Sequence, residues 1–192
     1  MKLKSEQYEY IKQTVVDTFE YYGIKCIPIN CFEMAYKMGI KIRPYSAFDT
    51  KLKERALKYS TDGFSCLKDG TWYIVYNDEK ENYGRMNNTL MHEIGHFALG
   101  HTDLSGEEEE AEAKFFAKYA LAPPPLIHTV HNNLKVQITP TIIKDMFYIS
   151  DEAAHIAYSY YQKWLKYGTK NPSEYDVKLI QLFEHQVKSY IQ

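Results

Sequence analysis

Apolar residues along the chain fall mainly at helical spacing. Tyr8, Ile11, Val15, Phe19 and Tyr22 form one stripe across residues 5–22, and Gly23 stands where that helix should stop. Asn30 is a capping residue for a second helix at 31–38, which Gly39 ends. The period then changes to two. Ile40, Ile42 and Pro44 alternate with Lys41 and Arg43 and read as a strand, at a sheet edge because proline cannot donate to a ladder. A short helix at 51–59 follows. Residues 64–67 and 72–76 flank Asp69-Gly70, which predicts a β-hairpin. Residues 77–83 read as a polar loop.

Residues 90–99 return to a buried helical pattern, with Asn87, Asn88 and Thr89 as capping residues ahead of it and Gly100 as its stop. A polar connector at 101–108 precedes a helix at 109–122, and Pro123-Pro124-Pro125 marks a domain boundary. Beyond it, residues 139–148 and 150–165 read as two helices joined by a tight turn, and a last helix covers 174–190. The expected fold class is α+β: a mostly helical domain with a small antiparallel sheet at 1–125, followed by a small all-helical region at 126–192 whose paired helices resemble a helix-turn-helix.

The chain has 192 residues and a net charge of −2, so no global field favours nucleic acid or an anionic membrane. Within 139–166, Lys144, Lys163 and Lys166 are offset by Asp145, Asp151 and Glu152, which argues against a DNA-binding face. The start, MKLKSEQYEYIKQTVVDTF, lacks a signal-type apolar core, and no apolar run approaches a membrane span. Cys26, Cys31 and Cys66 match neither a disulfide framework nor a C-x-x-C pair. The expected setting is the cytoplasm, with reduced thiols.

The chemistry concentrates in His92-Glu93-Ile94-Gly95-His96. On a helix, His92 and His96 project side by side and can grip one Zn²⁺, while Glu93 is placed to act as general base. A catalytic zinc takes three protein ligands and keeps one position open. The extended pattern H-E-x-x-H-x-x-G-x-x-H fails here, because Leu99 and Thr102 occupy its glycine and histidine positions. Gly100 and His101 miss by one residue, and His101 reads as a connector histidine, a role beside the ligands being the lesser alternative. The next helix offers Glu107, Glu108, Glu109, Glu110 and Glu112. Ala113, Phe116 and Ala117 lie three, six and seven positions beyond Glu110, so Glu110 projects from the inward face and is the favoured third ligand. Glu107 to Glu109 read as a solvated acidic first turn, and Glu112 points elsewhere.

L-x-H-E-I-G-H followed by E-A-E-A-K-F-F-A-K-Y-A-L-A-P resembles the ImmA/IrrE metallopeptidases, and the resemblance covers roughly residues 8–125. Glu110, Glu112, Ala113, Phe116, Ala117, Leu121 and Pro123 match the family's second block. Lys114 stands where Asp or Asn is common, and Ala120 and Ala122 soften the usual L-L-M-P ending. The resemblance implies His92, His96 and Glu110 as zinc ligands and Glu93 as the catalytic acid/base. It implies a phage- or mobile-element-type endopeptidase acting in transcription regulation, with a helix-turn-helix repressor as its protein substrate. The alternative is a non-cleaving regulatory or DNA- or protein-binding module whose metal is structural. Tyr119, His128 and His131 are candidate oxyanion donors, and the strand 72–76 is a candidate edge for receiving substrate.

Overall fold

A computed structural model describes residues 2–80, 82–101 and 106–189. Helix α1 (Ser5–Tyr22) buries Ile11, Val15 and Phe19 and ends at Gly23, whose φ of 64° closes the helix in the left-handed region. Helix α2 (Cys31–Lys37) starts at Asn30, whose side chain accepts from the N–H groups of Phe32 and Glu33. Strand β1 (Lys41–Pro44) leads through a short 3₁₀ turn (Tyr45–Ala47) into α3 (Thr50–Tyr59).

Strands β2 (Gly63–Lys68) and β3 (Thr71–Tyr76) form the expected hairpin. Asp69 and Gly70 both have positive φ, 49° and 71°, as a two-residue type I′ turn requires. The sheet order is β1-β3-β2, so Pro44 does sit on an edge strand. The fold class is the expected one, but the sheet is mixed, since β1 joins β3 in parallel. The physical reason is the intervening chain: β1 and β3 are separated by α3 and β2, a crossover long enough to bring the strand back in the same direction.

Helix α4 (Tyr83–Ala98) begins earlier than the apolar pattern indicates. Its cap is Asn82, which accepts from the Arg85 N–H, rather than Asn87, Asn88 or Thr89. Asn87 lies inside the helix, buried, and donates to the Tyr148 carbonyl. Helix α5 (Glu107–Leu121) runs beside α4. The proline run then starts a helix instead of only ending one: α6 spans Pro124–Leu134, with proline in the first turn, where the missing N–H has no intrahelical partner to lose. Helices α7 (Pro140–Phe147) and α8 (Asp151–Trp164) are capped by the Thr139 and Ser150 hydroxyls, and α9 covers Glu174–Ser189.

One core cluster draws on α1, α2, β3, α4, α5, α6, α7, α8 and α9, from Leu3 to Phe183. A smaller cluster of Tyr45, Ala56 and Val75 holds α3 against the sheet. Among the described residues no helix is long and apolar enough to cross a membrane.

Candidate metal centre

The buried face of α4 carries Leu90, Met91 and Ile94, which seat the helix in the core. The same winding turns His92 and His96 toward α5. Gly95 lets α5 approach: a Cβ there would lie 3.0 Å from Phe116 Cδ1 and 3.2 Å from Phe116 Cβ. With the two helices this close, Glu110 reaches across. Its carboxylate lies 3.5 Å from His92 Nε2 and 3.3 Å from His96 Nε2, and the two Nε2 atoms are 3.2 Å apart.

Those three separations test whether a metal ion would fit. Ligand bonds of about 2.0–2.1 Å in a tetrahedron require donors about 3.3 Å apart. The two Nε2 atoms, 3.2 Å apart, match that edge, and the Glu110 carboxylate sets Oε2 3.5 Å from His92 Nε2 and Oε1 3.3 Å from His96 Nε2, with one ligand atom from each residue lying within 4.8 Å of the others. His92, His96 and Glu110 are thus a group that could hold a metal ion. The cluster combines two imidazoles and one carboxylate, the donor set of borderline-soft divalent metals such as zinc.

Burial sets the protonation of the site. Desolvation, with the neighbouring His96 adding to it, pushes His92 down to about 4. Desolvation also lowers His96. Both rings are therefore neutral near pH 7, the form that binds metal. Glu93 is buried, and desolvation raises its carboxyl to about 7 despite opposing hydrogen bonds from the hydroxyl and backbone N–H of Ser65.

Glu93, His92, His96 and Glu110 line a cleft of about 610 Å³ together with Tyr59, Gly63, Phe64, Ser65, Trp72, Asn88 and Lys114. Tyr119, His128 and His131 are absent from that lining. The Tyr119 hydroxyl is buried and donates to Asp176 Oδ1, 3.4 Å away. His128 Nδ1 pairs with the Tyr161 hydroxyl, and His131 Nδ1 donates to the Val136 carbonyl. The substrate-edge expectation for 72–76 also fails, because β3 is the central strand. The edge strand bordering the cleft is β2, through Gly63, Phe64 and Ser65, and β3 reaches it through Trp72.

Two further residues meet the site in a way that helical spacing alone does not indicate. His101 is buried, with Nδ1 3.0 Å from His96 Nδ1 and Nε2 3.1 Å from Glu112 Oε2. Glu112 does point away from the candidate metal position, as expected, but onto His101 rather than into solvent. The signal was Gly100: a glycine at that place ends a helix by turning the next residue back over the last turn.

A comparison with curated proteins gives no match. The family model described as Peptidase M78, IrrE N-terminal-like domain, matches residues 37–159, more than half of the chain. That span includes both the H-E-x-x-H turn of α4 and the glutamates of α5, and the chain belongs to this metallopeptidase family.

Proposed function

We propose that the protein is a zinc-dependent endopeptidase of the H-E-x-x-H type, with His92, His96 and Glu110 as its zinc ligands and Glu93 as its catalytic acid/base. The observation that carries this reading is the convergence of His92, His96 and Glu110, whose ligand atoms lie within 4.8 Å of one another, the two Nε2 atoms 3.2 Å apart. Among the described residues no fourth His, Cys, Asp or Glu joins the group, and the Glu110 side chain is 42% exposed on the cleft side. An open fourth position favours catalysis over a closed structural site.

Bound zinc would supply Lewis-acid polarisation of a scissile carbonyl. The chain's own residues supply the rest. Glu93, one residue from a ligand and in the same cleft, takes the proton of the attacking water and returns it to the leaving amine nitrogen. A carboxyl held near 7 by burial exchanges protons in both directions close to neutral pH. The Ser65 hydroxyl and N–H orient that carboxylate. Because the Ser65 N–H is directed at Glu93, the β2 edge opposite β3 faces the cleft, and an extended substrate can align along it as a further strand. Tyr59, Asn88 and Lys114 replace the three earlier candidates as polar donors available to the developing oxyanion.

The resemblance to ImmA/IrrE metallopeptidases supports a regulatory protein, such as a helix-turn-helix repressor, as substrate. Every cleft-lining residue precedes residue 125, so we assign the peptidase machinery to 1–125 and a covering role to 126–192. A DNA-binding role for α7 and α8 finds little support, because Lys144 is paired with Asp151 at 2.9 Å. The reading places the protein in the cytoplasm, with Cys26, Cys31 and Cys66 as free thiols.

Metal analysis and cleavage test it together. Purified wild type should carry stoichiometric zinc, and His92→Ala and Glu110→Ala should lose it. Glu93→Gln should keep zinc and fold but lose at least about 100-fold in the rate at which a co-incubated repressor from the same locus is cut into discrete fragments. Retention of zinc in Glu110→Ala would overturn the ligand assignment. Undiminished cutting by Glu93→Gln would overturn the mechanism.

A further inference from the structure

Helix α4 ends in a Schellman turn. Leu99 is the last near-helical residue, Gly100 follows with φ 73°, the Gly100 N–H donates to the Phe97 carbonyl, and the His101 N–H donates to the His96 carbonyl at 2.9 Å. Such a turn sets the residue after the glycine against the residue five before it, a contact usually made by two apolar side chains. Here both are histidines. His101 therefore packs its ring on the side of His96 that faces away from the ligand cluster, nitrogen to nitrogen at 3.0 Å.

The hydrogen-bond inventory fixes the protons along this chain. A carboxylate only accepts. Glu112 Oε2 lies 3.1 Å from His101 Nε2, so a neutral His101 carries its proton on Nε2 and presents Nδ1 as an acceptor. A bare Nδ1 accepts, so the proton of His96 sits on Nδ1. Nε2 of His96, the atom that shares the ligand cluster with His92 and Glu110, is then the unprotonated nitrogen. Glu112 is itself fixed. Its other oxygen accepts from Gln7 Nε2 at 2.8 Å, and the same Gln7 amide nitrogen donates to Glu108 at 2.7 Å while its carbonyl accepts from the Lys4 N–H. The relay runs from α1 through Glu112 of α5 to His101 and ends on His96.

We infer that His101, held by Glu112, is a positioning residue that fixes the ring orientation and tautomer of His96 for metal binding. This rests on the zinc reading given above and adds to it a residue outside the ligand set. Histidine ligands as a rule give their second nitrogen to a carboxylate or carbonyl directly. In this chain a second imidazole is interposed, and it is supplied by the turn that ends the ligand helix.

Two measurements test the assignment. In wild type labelled with ¹⁵N-histidine and loaded with zinc, the ring spectrum should show His96 protonated at Nδ1 and coordinated through Nε2; a proton on Nε2 would overturn the relay. In a zinc competition against a chromophoric chelator, His101→Ala should bind about 10–100-fold more weakly than wild type, the range usual for loss of such a partner. His101→Gln, whose amide can accept from His96 and donate to Glu112, should recover most of that loss. Circular dichroism should show both variants folded. If wild type itself takes up no zinc, the metal reading falls and this inference with it. If wild type binds zinc and His101→Ala binds equally well, or Ala and Gln weaken binding alike, the metal reading stands and the positioning role is refuted.

Discussion

Asp62 shows how one side chain shapes the cleft without touching its chemistry. It lies just before β2, and its carboxylate takes a forked contact from Arg85 at 2.7 and 2.9 Å and a further contact from Lys80 at 2.6 Å. Arg85 belongs to the first turn of α4, so the pair ties the start of the cleft-bordering strand to the start of the helix that carries His92 and His96. The Arg85 hydrogen bond leads in holding the Asp62 carboxyl down, to about 2. A carboxyl lowered in the folded state stabilises it while ionised. The contribution is complete above the ordinary value of 3.8 and fades as pH falls toward about 2. Asp62 and Arg85 side chains are 35% and 55% exposed, so solvent screening keeps the contribution to about 1 kcal/mol or less. Urea melts of wild type and Asp62→Asn should therefore differ by that amount at pH 7 and converge near pH 2. A gap that persisted at the acid end would assign the effect to packing instead of charge.

Pairs of elements decide how His92, His96 and Glu110 converge, and here Gly95 is the critical position. It faces Phe116, which is fully buried, with contact distances of 3.0–3.2 Å to an added Cβ. Alanine in a helix interior is favoured over glycine by roughly 0.5–1 kcal/mol. Overpacking a filled core costs about 1–3 kcal/mol. The second effect outweighs the first, so Gly95→Ala should lower stability by about 1 kcal/mol and weaken zinc binding, because His92 and His96 shift relative to Glu110. Adding Phe116→Leu to Gly95→Ala should return part of both, and a thermal melt with a zinc titration would check it. The same pair of helices shows what the sequence could carry. The placement of His92, Glu93, His96 and Glu110 around one cleft was legible because it follows from helical period and one inward stripe. His101 was not, because its place depends on the backbone reversing at Gly100, which angular bookkeeping along a straight helix excludes. The candidate edge at 72–76 failed for a related reason: residue alternation identifies a strand but not its neighbours, and only the β1 crossover makes β3 central, a sheet element packed on α4. Helix α6 was missed because proline, read as a breaker, also starts helices.

The molecule as a whole depends on its last third in a way that the proline run conceals. Gly84, in the first turn of α4, sits directly on the backbone between α7 and α8: an added Cβ would come within 2.4 Å of the Ser150 nitrogen and 2.5 Å of the Ile149 carbonyl carbon. Asn87 binds the Tyr148 carbonyl one turn later. On the opposite side, Phe19 of α1 meets Phe183 of α9 with ring centroids 5.8 Å apart, and buried Asp176 accepts from both the Tyr119 hydroxyl and the Trp164 indole N–H. Helix α4 and the two helices beside it are thus covered by residues after 125, although every residue lining the cleft comes before it. A chain cut after Pro125 would keep His92, Glu93, His96, His101, Glu110 and Glu112 and yet expose Phe19 and Tyr119 to water, each worth about 1.5–3 kcal/mol when buried. Together those losses, about 3–6 kcal/mol, reach the lower end of the whole stability of a domain, about 5–15 kcal/mol. The truncated chain should therefore lose cooperative unfolding and zinc affinity together, despite its complete ligand set. Adding residues 126–192 back as a separate peptide should restore both in proportion to complex formed. A truncated chain with dispersed amide resonances and wild-type zinc affinity would show that the ligand helices are held by the first 125 residues alone.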